Sequence, residues 1–443
     1  MALSDGLGGD VLRALRDIAY DEAIFDLVKN EPVFSSSLMR NGAGAPSSLP
    51  LFTVENQFRR IAHGQPALID YNFRFVRPST SELIPNLSID FTVKPRQTPP
   101  TNLHVLIGGN GVGKTRLLRD FATVAAAGGS VDLGTFSDCR EVVSRAEFGA
   151  SIFANVVHVS FSAFDAKVGD TDPVVAGDGV LQQNESTKVH WVGLPLAMDE
   201  PLDKQFQAAL RTVWWSSTRQ LRWRRALETL AVADPIIGAE GLGDLCPSTV
   251  DFYSPDDREQ SQYAQVEFDD SIDHAVKSFA AMSSGHKIVI LTITRLVELV
   301  EEQSLVLLDE PETHLHPPLL SALIRAITDL MVDRNGVAIV ATHSPVVLQE
   351  VPKSCVSMLR RVGDDVRVSP LDIESFGESV SRLTSEVFGL DVTHTGYHAM
   401  LASLLADHNN SVPAVLEALG QQLGGEGRFV LHALALNADR EAP

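Results

Sequence analysis

The chain has 443 residues, with 36 Lys and Arg against 57 Asp and Glu, a net charge of −21. Hydrophobic residues make up 44% and charged residues 21%, the balance of a folded protein with a sizeable core. No run approaches the ~18 apolar residues of a membrane-spanning helix, and the N-terminal MALSDGLGGD lacks a basic stretch before an apolar block. Three scattered cysteines (Cys139, Cys246, Cys355) form neither a disulfide framework nor a CxxC metal pair. These features predict a cytoplasmic protein that neither crosses nor sits on a membrane. The acidity excludes coating DNA by bulk attraction, so any nucleic-acid contact needs a local basic groove.

Apolar spacing predicts an amphipathic helix over 9–29, followed by a Ser-, Gly- and Pro-rich linker to residue 50. From about 67 to 107 the pattern is strand-like: IDYNFRFVRP, LSIDFTVKP, then the short buried run LHVLI. RLLRDFATVAAA reads as a helix, and VVHVSFSAFD (156–165) as a strand with a loop. Residues 166–280 are the least regular, with a polar loop, a helical block around 201–232 and further loops. From 286 helix and strand alternate, which implies parallel strands with crossover helices. A hairpin is expected at 356–372. The segment 370–443 reads as helical and acidic, with 3 Arg and no Lys against 10 Asp and Glu. The predicted divisions are 1–50 (helix and linker), 51–165 (first part of a nucleotide-binding core), 166–280 (insertion), 281–372 (second part of that core) and 373–443 (helical, candidate partner-docking).

Residues 108–115 read Gly-Gly-Asn-Gly-Val-Gly-Lys-Thr, a G-x-x-x-x-G-K-T run between an apolar strand and a helical pattern. That is the setting a phosphate-binding loop requires. Glycines (Gly108, Gly111, Gly113) let the backbone wind so that its N–H groups face one anion, and the helix start adds its positive end. Asn110 and Arg116 flank this cradle. Lys114 would reach the β- and γ-phosphates, and Thr115 would ligate Mg²⁺. The second element is LVLLDE (305–310), an apolar strand ending in two carboxylates. Asp309 would hold Mg²⁺ and Glu310 would polarise an attacking water. A strand ending in Asp-Glu also describes a solvated turn, so its weight comes from the loop at 108–115. Asp309 lies 195 residues after Lys114. Ser283, Ser284 and Gly285 form a turn at a helix start, a second anion site. PETHLHP (311–317) and ATHSP (341–345) follow. His314 and His316 lack a nearby Cys or third His, which argues for packing over zinc.

The order GGNGVGKT, MSSGHK, LVLLDEPETHLHP, ATHSP resembles the ATP-binding-cassette class, closest to soluble OLD-, RecF- and SMC-like heads, over roughly 65–350. The resemblance implies an α/β P-loop NTPase head with an antiparallel β subdomain, a largely helical insertion and a helical tail. It implies ATP and Mg²⁺ as cofactors, and a head-to-tail dimer with Ser283, Ser284 and Gly285 on the γ-phosphate of the opposite subunit. His343 would be the switch histidine, and Thr313 to Pro317 the loop crossing the dimer interface. Ser284 and His286 replace the Gly and Gln of the usual Leu-Ser-Gly-Gly-Gln signature, which bears on hydrolysis rate more than on fold. Ser162 takes the place of the family's Mg²⁺- and water-contacting Gln. Tyr71 or Phe73 would stack on adenine, unless they pack within their strand.

VVHVSFSAFD, LVLLDEPETHLHPP and ESFGESVSRLTSEVFGLD together resemble the stand-alone defence ATPases of the Septu system, the PtuA group, including its retron-associated form. That resemblance implies a separate HNH nuclease partner; the residues after Ser344 hold neither the Asp-x-Asp signature of a Toprim nuclease nor an H-N-H pattern, so no nuclease activity is expected of this chain. RecF-like DNA repair is the alternative, with a soluble transporter ATPase ranked below it. Residues 214–225 hold the one basic, aromatic cluster. Arg219, Arg222 and Arg225 lie near one helical face, and Trp214, Trp215 and Trp223 are interleaved. The cluster suits DNA or RNA binding, or equally a helix that buries its tryptophans and pairs its arginines.

Overall fold

The computed structural model describes residues 7–28, 58, 62, 68–79, 86–127, 133–139, 152–160, 187–193, 201–237, 245–246, 258–362, 365–389 and 396–441. Its centre is a seven-stranded sheet of β3 (Leu103–Ile107), β5 (Asn155–Ser160), β6 (Lys188–Gly193), β7 (Leu305–Asp309), β8 (Val337–Thr342), β9 (Val356–Val362) and β10 (Asp365–Pro370). The spatial order is β10-β9-β3-β8-β7-β5-β6. All neighbours pair in parallel except the β9–β10 hairpin. β3, β7 and β8 are buried along their whole length. Unbroken apolar runs form such strands because both faces of a parallel sheet are covered.

Alternate side chains divide the core. Leu103, Val105, Val306, Leu308 and Val340 face one helical layer. It contains α4 (Leu202–Trp214), α5 (Ser217–Ala233), α6 (Arg258–Ala281), α7 (Ser284–Leu299) and α8 (Pro317–Asp333). Leu106, Val156, Leu305, Leu307 and Ile339 face the other side. There α3 (Lys114–Ala127) packs with a small antiparallel sheet of β1 (Tyr71–Arg77), β2 (Leu87–Val93) and β4 (Thr135–Asp138), ordered β2-β1-β4. The mixed α/β architecture, with its antiparallel subdomain and helical parts, is that of a P-loop ATPase head.

Three expectations change in detail. The helix expected over 9–29 is two helices, α1 (Leu7–Ala14) and α2 (Glu22–Val28). Arg16 turns the chain with φ +52°, Asp17 accepts from the backbone of Ala19 and Tyr20, and Asp21 accepts from Ala23 and Ile24 at the start of α2. Such Asp side chains satisfy the orphan donors of a new helix start. The irregular interval 166–280 supplies β6, an edge strand of the main sheet, and the 24-residue α6. Its helices share the main core, since Phe206, Leu210, Trp223 and Phe279 join the cluster of Leu103 and Val105. The C-terminal stretch also splits. α10 (Val380–Phe388), which follows the short α9 (Pro345–Leu348), buries Leu383 and Val387 in the main core. α11 (Gly396–Asp407), α12 (Val412–Ala418) and α13 (Gly425–Glu441) surround their own cluster of Leu401, Leu405, Val415 and Leu431.

Candidate functional site

The functional side chains converge at the carboxyl ends of the parallel strands. Register places Ile107 beside Thr342, and Asp309 beside both Ala341 and Ser160. Open α/β sheets bind ligands at this edge, where connections leave in opposite directions. After β3 the chain turns through residues 108–113, with φ +74° at Gly111 and +100° at Gly113. Gly108 is required for a different reason. A Cβ there would lie 2.5 Å from the backbone oxygen of Leu359. Asn110 and Gly111 are exposed, Lys114 is buried and opens α3, Thr115 is half-buried and Arg116 is exposed.

Lys114 Nζ donates to the oxygens of Gly108 (3.0 Å) and Gly109 (3.3 Å), folding the amine back over the loop. It also lies 3.8 Å from Glu310 Oε1. Glu310 follows directly on β7 with φ +46°, and its N–H donates to Ala341 O at 2.8 Å. A left-handed residue bearing a side chain is uncommon, and such positions cluster at functional sites. His343 Nδ1 is 3.4 Å from Glu310 Oε1 and 3.2 Å from Glu312 Oε1. Glu312 Oε1 also accepts from Thr342 Oγ1 (2.6 Å) and from the backbone N–H of His343 (2.8 Å). A single carboxylate oxygen thus fixes both the backbone and the ring of the histidine.

Buried Asp309, half-exposed Glu310 and the Thr115 hydroxyl are hard oxygen donors, the set a Mg²⁺ ion takes alongside phosphate oxygens. The wound glycine loop and Lys114 suit a polyphosphate. A nucleotide triphosphate with Mg²⁺ therefore fits these residues, the ion supplying charge neutralisation at the phosphates. Glu310 stands where a water can be held for attack, and His343 where it can hydrogen-bond a terminal phosphate.

The signature turn sits at the start of α7. Ser283 is its N-cap, and its Oγ accepts from His286 N (3.4 Å) and lies 2.8 Å from His286 Nδ1. Gly285 packs so closely on the 311–317 loop that a Cβ would meet His314 O at 2.7 Å. His286 Nε2 reaches Asp234 Oδ2 at 2.8 Å, and His316 Nε2 reaches the same atom at 3.3 Å. Burial opposes ionisation of Asp234, but hydrogen bonds from His286, the Ile236 N–H and His316 outweigh it and hold the carboxyl below its usual range. His316 also caps α8 by accepting from Leu319 N. His314 does not join this contact, and among the described residues no group of three or more His, Cys, Asp or Glu side chains is arranged to hold a metal ion.

Two expected groups take other roles. Tyr71 and Phe73 are not placed to stack on a base. Both are buried in the aromatic core, Phe73 against Phe91 at 4.8 Å, and the Tyr71 hydroxyl donates to Asn335 O. In the basic cluster Trp214 and Trp223 are buried, and Trp223 Nε1 donates to Thr294 Oγ1 at 2.9 Å. Arg222 pairs with Asp333, and Arg219 is half-buried in the first turn of α5. Trp215 and Arg225, with the neighbouring Arg224, stay exposed. Ser162 lies outside the described residues. Glu312 and Asp234 join the site without being among the residues expected from the sequence. Glu312 had a signal, a further acid two residues after the Asp-Glu pair, whereas Asp234 lies 52 residues from His286 and had none.

Residues 221–349 match a family described as "AAA domain, putative AbiEii toxin, Type IV TA system". Among solved structures, a nucleotide-free ATP-binding cassette from an ABC transporter aligns with 12% identity and a TM-score of 0.33, covering 74% of this chain and 99% of that one. UvrA2 from Deinococcus radiodurans aligns with 13% identity and a TM-score of 0.31, covering 65% of this chain and 35% of that one. No helix among the described residues is long and apolar enough to cross a membrane. Protein ea59 of Escherichia phage lambda is 37% identical over 450 residues, spanning 99% of this chain and 81% of that protein. With a phosphate loop, an acidic strand end and a histidine gathered on one parallel sheet, the chain carries a P-loop ATPase head, and it belongs to the family of protein ea59.

Proposed function

We propose that the protein is the ATP-binding and ATP-hydrolysing subunit of a prokaryotic antiviral defence complex in the cytoplasm. Two heads pair head-to-tail around ATP and Mg²⁺, each offering Ser283, Ser284 and Gly285 to the nucleotide of the other. The paired state controls a separate nuclease, of HNH type, and this chain does not itself cut nucleic acid. The observation that carries the ATPase reading is the meeting of Lys114, Glu310 and His343 within 3.8 Å contacts at one sheet edge. The matched family's description, with its AbiEii toxin and toxin–antitoxin system, supports the defence setting. The Septu reading rests on three tracts, 156–165, 305–318 and above all 374–391. There Glu374 Oε1 accepts from the N–H groups of Lys353, Ser375 and Phe376, stitching the tract to the ATPase core. The helices of 396–441, with Tyr397, Met400 and Phe429 exposed, offer the nuclease a docking face.

Glu310→Gln should retain ATP and trap the pair, and Lys114→Ala should lose nucleotide. Wild-type turnover by Glu310→Gln would remove the base assignment. Pull-down from the native locus tests the partner, and recovery of recombination proteins in place of a nuclease would favour DNA repair. Exposed Arg224 and Arg225 keep that second reading open by offering a small basic face on α5.

A further inference from the structure

A triphosphate held by residues 108–115 must send its nucleoside out to one side of the loop. The side toward β8 and β7 is taken by Glu310, Glu312 and His343, the groups that deal with the terminal phosphate. The other side faces β9, which pairs with β3. Beyond the end of β3, β9 continues into Arg360 and Arg361, both exposed. Arg361 Nη1 approaches Gly111 O at 3.5 Å, which ties the hairpin to the phosphate loop.

Between the loop, this strand and the end of α10 lies a cavity of about 520 Å³, with Val387 and the half-buried Phe388 on its far wall. Ligand pockets commonly span roughly 300–1,000 Å³, with apolar walls and a few polar groups. The upstream aromatics that could have served the base, Tyr71 and Phe73, are locked in the core.

We propose that this cavity is the nucleoside subsite, taking the base and ribose of the nucleoside triphosphate. The base stacks against the Phe388 ring and the planar guanidinium of Arg360, both of which suit a flat π face. Because α10 belongs to the segment after the hairpin, an occupied subsite also tells that segment that nucleotide is bound. The inference rests on the phosphate-loop reading and adds the specificity element to it.

Titration of the full-length chain with ATP and with inorganic tripolyphosphate, followed by calorimetry, tests it. Phe388→Ala and Arg360→Ala should each weaken ATP binding about tenfold and leave tripolyphosphate binding unchanged. The second variant guards against a folding defect, because Phe388 also packs on the main core whereas Arg360 is exposed. Wild-type ATP affinity in both variants overturns the proposal. An equal loss of ATP and tripolyphosphate in both overturns it too, since the effect would then lie in the phosphate loop. Wild-type protein that binds neither ligand instead overturns the phosphate-loop reading itself.

Discussion

His286 Nε2 lies 2.8 Å from Asp234 Oδ2, joining the start of α7 to the end of α5. The same imidazole meets Ser283 Oγ through its other nitrogen. The signature turn is thereby anchored to the helical layer by a serine, a histidine and a buried carboxylate in line. Hydrogen bonds hold the Asp234 carboxyl below its usual range. A depressed carboxylate pKa contributes stability that is present above the unfolded value of about 3.9 and is lost as pH falls through the folded value. Asp234→Asn should lower the melting temperature at pH 7, and the gap to wild type should close only below about pH 4. A gap that stays constant down to pH 3 would contradict the ionised carboxylate.

Gly285 has no room for a methyl group, because the 311–317 backbone stands 2.7 Å from where its Cβ would be. Gly285→Ala must push the signature turn off that loop at a cost of roughly 1–3 kcal/mol. The phosphate loop lies on other elements and should keep its ATP affinity. Steady-state turnover should fall at least tenfold while nucleotide binding is retained. Normal turnover would show that the turn has no part in the reaction.

What was legible in the sequence was local. β3, β7 and β8 announced themselves as apolar runs because both of their faces are covered, and the phosphate loop because winding needs glycine at fixed spacing. The burial of Tyr71 and Phe73 was also written in the alternation with exposed Asn72 and Arg74, which marks an inward face. Other features depended on distant partners. The pattern of Arg and Trp at 214–225 is the same for a nucleic-acid face and a core helix, and it is Thr294 and Asp333, from other helices, that draw Trp223 and Arg222 inward. β6 escaped notice as a short edge strand within a polar stretch. Asp234 was invisible as a site residue because its histidines are 52 and 82 positions away.

His158 stands in the middle of β5, with its ring 4.4 Å from that of Trp191. Burial, aided by the charge of Arg119, pushes its pKa down to about 3. Burial likewise pushes His104 down to about 4, against the backbone hydrogen bonds to Thr92 and Thr101. The folded state refuses a proton that the unfolded chain accepts near pH 6.5, so stability is full above that value and falls as pH drops below it. From pH 7 to 5 each such histidine costs about 2 kcal/mol. His158→Leu should remove one of these contributions, flattening the pH dependence of urea unfolding by that amount. An unchanged slope would mean that His158 titrates normally.

Glu312 gives the sharpest division between binding and turnover. Its Oε1 holds the Thr342 hydroxyl, the His343 N–H and the His343 ring, so that carboxylate orients the histidine at the end of its strand. Glu310, the base candidate, touches the same ring but is only half-buried. Glu312→Ala should leave His343 free to turn away while Lys114 and the phosphate loop stay in place. ATP affinity should then change less than threefold, and kcat should fall by about 10²-fold, the scale of losing one aligned transition-state group. Glu312→Gln keeps an acceptor oxygen for Thr342 and the backbone N–H but drops the charge facing the ring. It should recover much of the lost rate if Glu312 acts by positioning. If Glu312→Gln is as slow as Glu312→Ala, the carboxylate charge itself is what the reaction uses.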